Sequence, residues 1–174
     1  MELTLEHPKP NKQNEMALRD ATDRDVPSLL DVMLSAFLEY QLVRDPPSAA
    51  HAETVETVRR RLGHGRAVVA ELQGQIVGFA FYEVQNDGLF YFSRLSVLPA
   101  FRRRGIGLAL VKYIESRAHH AGAPGVRLGA RVQLPHLVAR YEKMGYRISR
   151  YMTHEGYAEP TYVYMEKTYN RAEG

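Results

Sequence analysis

Three apolar segments follow one another between residues 67 and 98, and this succession constrains the fold more than any other feature of the chain. Only Gln73-Gly74-Gln75 and Asn86-Asp87-Gly88 separate them, and Pro99 closes the third segment. Short glycine-containing turns between β-branched and aromatic segments are typical of antiparallel hairpins. The sequence therefore predicts an antiparallel meander, with strands over 67–72, 76–84 and 89–98.

Helical periodicity surrounds this meander. Apolar residues recur at i, i+4, i+7, i+8 and i+11 from Leu29, which predicts a helix that starts near Thr22 and Asp25 and ends before Asp45. Further helices are predicted over 49–62, from Ile106 to about His119, and around 137–144, and single strands over 16–19, 126–132 and 161–167. This order predicts an α+β fold with a mixed sheet flanked by helices.

Length and composition fit one folded domain. We expect residues 1–14, which are polar and contain Pro8 and Pro10, to form a flexible extension, and residues 15–174 to form a single domain. The chain has no cysteine, which excludes a disulfide framework and a thiolate nucleophile and favours a cytoplasmic protein. A net charge of +3 and the lack of long apolar segments predict neither nucleic acid nor a membrane as partner.

The segment Arg102-Arg103-Arg104-Gly105-Ile106-Gly107 lies between a predicted strand and a predicted helix. The first amides of a helix lack internal partners, and glycines let the backbone approach an anion closely. Arginines add positive charge, so the loop is a candidate site for a phosphate or pyrophosphate. It could also be a turn with solvated arginines. A P-loop pattern is absent, and Leu110 does not fit a dinucleotide fingerprint.

The loop and the later segment Tyr141-Glu142-Lys143-Met144-Gly145-Tyr146 together resemble the GCN5-related N-acetyltransferase superfamily. Arg102, Gly105 and Gly107 fit the Gln/Arg-x-x-Gly-x-Gly/Ala motif of that superfamily, and the resemblance extends from about residue 16 to residue 168. It implies a mostly antiparallel sheet that splays between strands 4 and 5, and acetyl-CoA as co-substrate. It also implies direct acetyl transfer to a primary amine, with a small molecule as the expected acceptor, and a homodimer.

The resemblance also assigns site residues. Tyr141 is the candidate general acid, and Glu83, on the third strand of the chain, is the candidate base. Their alternatives are a core tyrosine and a solvated carboxylate at a strand end. The residues expected to bind the cofactor are Leu95, Ser96, Val97, Arg102, Arg103, Arg104, Gly105, Ile106, Gly107, Leu108 and Tyr141.

Two features qualify this assignment. Leu134 stands where superfamily members often have an asparagine that contacts the cofactor arm. The acceptor stays open: a cationic amine could be favoured by Glu39, Tyr40, Asp45 and Glu83, and His154 could border the acceptor cleft. The competing functions are a CoA-binding domain without catalysis, a protein amine acetyltransferase, and a nucleic-acid module that uses arginines 59–61 and 102–104.

Overall fold

The computed structural model describes residues 15–38 and 45–169, so the predicted extension over 1–14 lies outside the described residues. These residues contain eleven α-helices and strands, in the order of the prediction but with one strand added near the end. They are β1 (Ala17–Asp20), α1 (Val26–Phe37), α2 (Val55–His64), β2 (Arg66–Leu72), β3 (Gln75–Val84), β4 (Phe90–Val97), α3 (Ile106–His120), β5 (Gly125–Arg131), α4 (Pro135–Lys143), β6 (Arg147–Met152) and β7 (Tyr162–Thr168).

The strands form one mixed sheet in the order β1-β2-β3-β4-β5-β7-β6. Neighbours pair antiparallel except β4 and β5, which run parallel and pair only from Phe90 to Phe92 with Val126 to Leu128. The rest of β4 has no partner residue on β5 in this register, so the sheet opens there like a fork. The predicted α+β fold, with a splay between strands 4 and 5, is confirmed.

Helices cover both faces of the sheet, and each face has its own hydrophobic core. On one face α1 and α2 pack against β2 and β3, with Leu29, Met33 and Phe79 fully buried. On the other face α3 packs against β2, β3, β4 and β5, and α4 packs against β5, with Leu110 and Met165 fully buried there. Strand alternation sends successive side chains to opposite cores.

Capping residues set the starts of the first two helices. Thr22 donates its backbone N–H to Asp25 Oδ2 at 2.7 Å, in the predicted start pattern before α1. The second helix begins later than expected: residues 49–52 form a short 3-10 turn, and Thr54 then caps α2 by accepting from the Thr57 amide. None of the described helices is both long and apolar enough to cross a bilayer.

Strand β6 is the element that the sequence prediction missed. It pairs with β7 alone at the edge of the sheet, and five of its six residues are exposed. An edge strand that buries neither face needs little apolar patterning, and Arg147 and Arg150 interrupt the pattern further. The correct order of the last elements is therefore α4, β6, β7.

Candidate active site

The loop before α3 has the backbone geometry of an anion cradle. Arg103 and Gly105 both have positive φ, 62° and 76°, and turn the chain sharply into the helix that starts at Ile106. A side-chain carbon on Gly105 would meet nothing within 4 Å, so the backbone there is open to a ligand. The first amides of α3 face this opening without intrahelical partners, at the positive end of the helix dipole.

A cleft of about 550 Å³ extends from this loop along β4 to α4. It brings together most of the residues that the sequence predicted for the cofactor. Those that line it are Leu95, Val97, Arg102, Arg103, Gly105, Ile106, Gly107, Leu108 and Tyr141. His136 and Arg140 of α4 line the same cleft and were missed, because neither lies in the glycine motif.

Three predicted cofactor residues have structural contacts of their own. Ser96 is 1% exposed and donates its hydroxyl to the Arg94 carbonyl at 2.7 Å, so its side chain points away from the cleft. Arg104 lies over the Phe101 ring at 5.1 Å. Arg102 lines the cleft and also donates to the Ala36 carbonyl at 2.9 Å, which anchors the loop to the C-terminal turn of α1.

A β-bulge marks the point where β4 leaves β5. Phe79 pairs with Ser96, and Phe81 pairs with Ser93, so two residues of β4, Arg94 and Leu95, lie opposite one residue of β3. Arg94 has a positive φ of 55°, which is rare for a residue with a side chain. A bulge of this kind interrupts the ladder and leaves backbone groups unpaired.

A second cleft, of about 340 Å³, occupies the fork between β4 and β5. It shares four residues with the first cleft: Phe37, Leu95, Leu137 and Tyr141. Its far wall carries polar and aromatic side chains from β4, β5, β7 and the loop before β7, namely Tyr91, Ser93, Arg94, Arg131, His154, Tyr162 and Tyr164. The two clefts therefore meet at Leu95 and Tyr141 and form one path through the sheet.

Tyr141 lines both clefts and is only partly buried. Its ring packs 6.1 Å from Phe92 and 6.0 Å from Tyr146, which fixes it on the cleft side of α4. Tyr146 is fully buried and donates its hydroxyl to Glu115 at 2.8 Å. The two tyrosines of this segment thus differ in environment: one faces the cleft, and the other belongs to the core.

Glu83 does not lie in this path. It is exposed, and it lines a separate cleft with His64, Arg117 and His120, on the side of the sheet where α2 ends. Glu83 pairs with Tyr91 and lies beside Gly65, in the region where β4 is still paired with β5. Glu83 and Tyr141 therefore line different clefts, and the geometry does not support Glu83 as the base.

His154 lines the second cleft and is a candidate for the base instead of Glu83. Its Nδ1 lies 2.5 Å from the Thr161 hydroxyl, and its ring packs against Tyr162 at 4.8 Å. Burial, aided by the positive charge of Arg131, lowers the pKa of His154 below its ordinary value of 6.5. The imidazole is therefore neutral at neutral pH and able to accept a proton.

Two of the clustered arginines at the end of α2 are held in ion pairs within the fold. Arg59 pairs with Asp23 at 3.0 Å, and Arg61 pairs with Glu53 at 3.0 Å. Among residues 15–38 and 45–169, no group of three metal-ligating side chains comes together.

Comparison with known proteins agrees with this architecture. The model of the acetyltransferase (GNAT) family matches residues 33–146, and the chain belongs to that family. An acetyltransferase of Pectobacterium atrosepticum is 33% identical over 93 residues, which is 51% of this chain and 64% of the relative. The match thus spans less than two thirds of that relative's length.

Solved structures share the fold at low sequence identity. The PaiA N-acetyltransferase of Thermoplasma acidophilum, in complex with coenzyme A, has a TM-score of 0.73 and 17% identity, over 89% of this chain and 99% of that one. The ribosomal-protein-S18-alanine N-acetyltransferase of Escherichia coli has a TM-score of 0.71 and 18% identity, over 91% of this chain and 96% of that one.

Proposed function

We propose that this protein transfers the acetyl group of acetyl-CoA directly to a primary amine of a small acceptor. The observation that carries the proposal is the continuous path from the amides of the Arg102–Gly107 loop to the fork in the sheet, with Tyr141 at its middle. A path of this kind offers an anion cradle at one end and a separate compartment for a second substrate at the other. Family membership supports the same reaction class.

The residues along the path divide into three parts. The loop amides and Arg103 bind the pyrophosphate, and the unpaired edge of β4 pairs with the extended pantetheine arm as an added strand would. Leu137 and Tyr141 close the opposite side of the arm. Acetyl-CoA supplies the activated acyl group as a substrate.

The transfer step needs a base, an oxyanion donor and an acid. His154 accepts a proton from the acceptor ammonium, directly or through water. The neutral amine then attacks the acetyl carbon, and a backbone N–H near Leu95 stabilises the negative charge that develops on the carbonyl oxygen. The carbon–sulfur bond breaks, and the Tyr141 hydroxyl gives its proton to the leaving thiolate. The products are an N-acetyl amine and CoA, and no acyl-enzyme forms.

The acceptor compartment favours a small molecule over a protein. Its volume is about 340 Å³, at the lower end of the range of small-ligand pockets, and part of it is shared with the cofactor cleft. The Escherichia coli neighbour is named for an alanine of a ribosomal protein, so a peptide is the alternative acceptor to test. Cytoplasmic location and a homodimer stay predictions.

The experiment is a turnover assay with a panel of primary amines and peptides, in which free CoA is detected by its thiol. We expect amine-dependent release of CoA from acetyl-CoA, at a rate well above hydrolysis in the absence of amine. Binding of acetyl-CoA without turnover on any amine would favour a CoA-binding domain without catalysis.

The Tyr141→Phe variant tests the acid within the same assay. It keeps the ring that packs on Phe92 and removes only the proton donor. We expect kcat to fall about 10²-fold, in the range of general acid catalysis, while the Kd for acetyl-CoA changes little. Tyr151→Phe is the matched control, because Tyr151 is 63% exposed on the edge strand β6. Equal losses in both variants would remove Tyr141 from the chemistry.

A further inference from the structure

The ionisable side chains of Arg, His, Asp and Glu type that line the cleft in the fork are all basic: Arg94, Arg131 and His154. Among the residues that the structure describes, no aspartate or glutamate lines this cleft. A compartment built for a polycationic acceptor would carry carboxylates on its wall. The charge of the wall thus indicates an acceptor with a negative group.

Arg94 belongs to a cluster in which the charges do not cancel. Its Nη2 lies 3.4 Å from Glu53 Oε1, and Arg61 Nε lies 3.0 Å from the same oxygen. Thr57 donates its hydroxyl to the other oxygen of Glu53 at 2.5 Å. Two guanidinium groups thus share one carboxylate, which leaves one excess positive charge beside the cleft.

The surroundings of Arg94 make this excess charge costly. Its side chain is 20% exposed and that of Glu53 is 7% exposed, so water screens the cluster poorly. Burial, together with the nearby charge of Arg61, lowers the pKa of Arg94 below its ordinary value. Its Nε is buried without a hydrogen-bond partner among the described residues. A buried charge is normally paired, and an anion bound in the cleft would compensate the excess positive charge of this cluster.

The position of Arg94 links it to the reacting amine. It lies on the bulge of β4 directly before Leu95, the residue shared by both clefts, and its positive φ of 55° departs from the normal strand conformation. Tyr91 and Ser93 line the same wall on the preceding part of β4. A negative group bound at Arg94 would therefore hold the amine of the same molecule near the point of transfer.

We propose that the acceptor is a small amine that also carries a carboxylate, as amino acids do, and that Arg94 binds this carboxylate. The inference rests on the proposed acetyl transfer and names its substrate class. The excess positive charge of the Arg61–Glu53–Arg94 cluster suits a carboxylate, and the planar guanidinium fork matches the geometry of that group.

This inference replaces the expectation of a cationic acceptor. That expectation was based partly on Asp45 and Glu83. The Asp45 carboxylate accepts a hydrogen bond from Tyr157, and Glu83 lines another cleft. The other two side chains, Glu39 and Tyr40, lie outside the described residues.

The experiment compares matched acceptors that differ only in charge: amino acids against their carboxamides, each with saturating acetyl-CoA. We expect kcat/KM to be about 10- to 100-fold higher for the carboxylate member of a pair, as a charged hydrogen-bonded contact gives. Rates must be compared at equal concentrations of neutral amine, because the amide lowers the pKa of the adjacent ammonium.

Variants of Arg94 then assign the preference to one residue. Arg94→Gln should abolish the preference by raising KM for the carboxylate acceptor, while the carboxamide and acetyl-CoA keep their KM values. Arg94→Lys should restore part of it, because the charge remains and the fork is lost. Arg60→Gln is the control: Arg60 is exposed on α2, and its loss removes the same charge from the surface.

The possible outcomes separate the two proposals. Equal or better turnover of carboxamides or diamines by the wild type would overturn the carboxylate inference and leave acetyl transfer intact. A carboxylate preference that survives in a folded Arg94→Gln variant would overturn the role of Arg94. Turnover of no amine at all would overturn the proposed function and this inference with it. The wild-type comparison needs no variant, so it decides even if Arg94→Gln does not fold.

Discussion

At the scale of single residues, His154 determines how the proposed reaction responds to pH. The pKa of His154 in the folded protein lies below 6.5, so the imidazole is neutral above this pKa and protonated below it. A protonated imidazole cannot accept the ammonium proton, and kcat/KM should fall tenfold per unit as pH drops below this pKa. The acceptor ammonium adds a second limb at higher pH, set by its own pKa.

The measurement is the pH profile of kcat/KM for the wild type and for His154→Gln. The variant should lose the limb that lies below pH 6.5 and retain the limb of the ammonium, with a lower plateau. His64→Gln serves as the control, because His64 is exposed at the end of α2 and lines a different cleft. An unchanged acid limb in His154→Gln would mean that another group, or water alone, takes the proton.

Residue patterns predicted which strand carries a side chain better than which site the side chain joins. Glu83 lies on the predicted strand, yet it is placed where β4 is still paired with β5, beside the end of α2. How far a strand extends past its neighbour depends on pairing between distant segments, which local periodicity does not contain. The role of His154 was hard to predict from the sequence, because a loop positions this residue and because its pKa is lowered by burial in the folded protein.

At the scale of elements, the path through the sheet depends on two local distortions. One is the αL turn at Arg103 and Gly105 before α3, and the other is the bulge at Arg94 and Leu95 in β4. The turn before α3 could be predicted from the sequence, because Gly105 and Gly107 lie at fixed spacing in a basic loop. The second could not, since Ser93-Arg94-Leu95-Ser96 contains no glycine and the bulge forms only against the register of β3.

The Gly105→Glu substitution tests the first distortion. It places a negative charge and a side chain in the opening where the pyrophosphate is expected, so the Kd for acetyl-CoA should rise at least 100-fold in a calorimetric titration. The matched control is Gly74→Glu, because Gly74 has a similar φ of 78° and likewise has no atom within 4 Å of an added carbon.

Both substitutions force a residue with a side chain into the αL region, and each should cost about 1 kcal/mol of folding free energy. Equal stability losses with unequal cofactor affinities would therefore isolate the binding effect. An unchanged Kd in Gly105→Glu would mean that the loop is only a turn.

At the scale of the whole molecule, the fork leaves the sheet as two parts joined by three residue pairs between β4 and β5. Helix α3 connects the parts. Its Tyr113 and Arg117 reach Asp20 of β1, at 3.3 Å and 3.4 Å. On the other side its Glu115 accepts from Tyr146 and pairs with Lys167 of β7 at 3.1 Å. The helix that begins at the anion cradle thus also holds the two halves of the sheet together.

Acetyl-CoA bound in this path would contact both halves at once, through the loop and β4 on one side and α4 on the other. We therefore expect a single cooperative unfolding transition that moves to higher temperature with acetyl-CoA and with CoA. At about 100 times the Kd the ligand contributes roughly 2.7 kcal/mol. For a chain of this size that corresponds to a rise in Tm of about 5–10 °C. NAD and ATP should give no comparable shift, and Gly105→Glu should lose the shift that Gly74→Glu keeps. An unchanged Tm with acetyl-CoA and with CoA would contradict binding of either molecule along this path, even though the fold is that of the family.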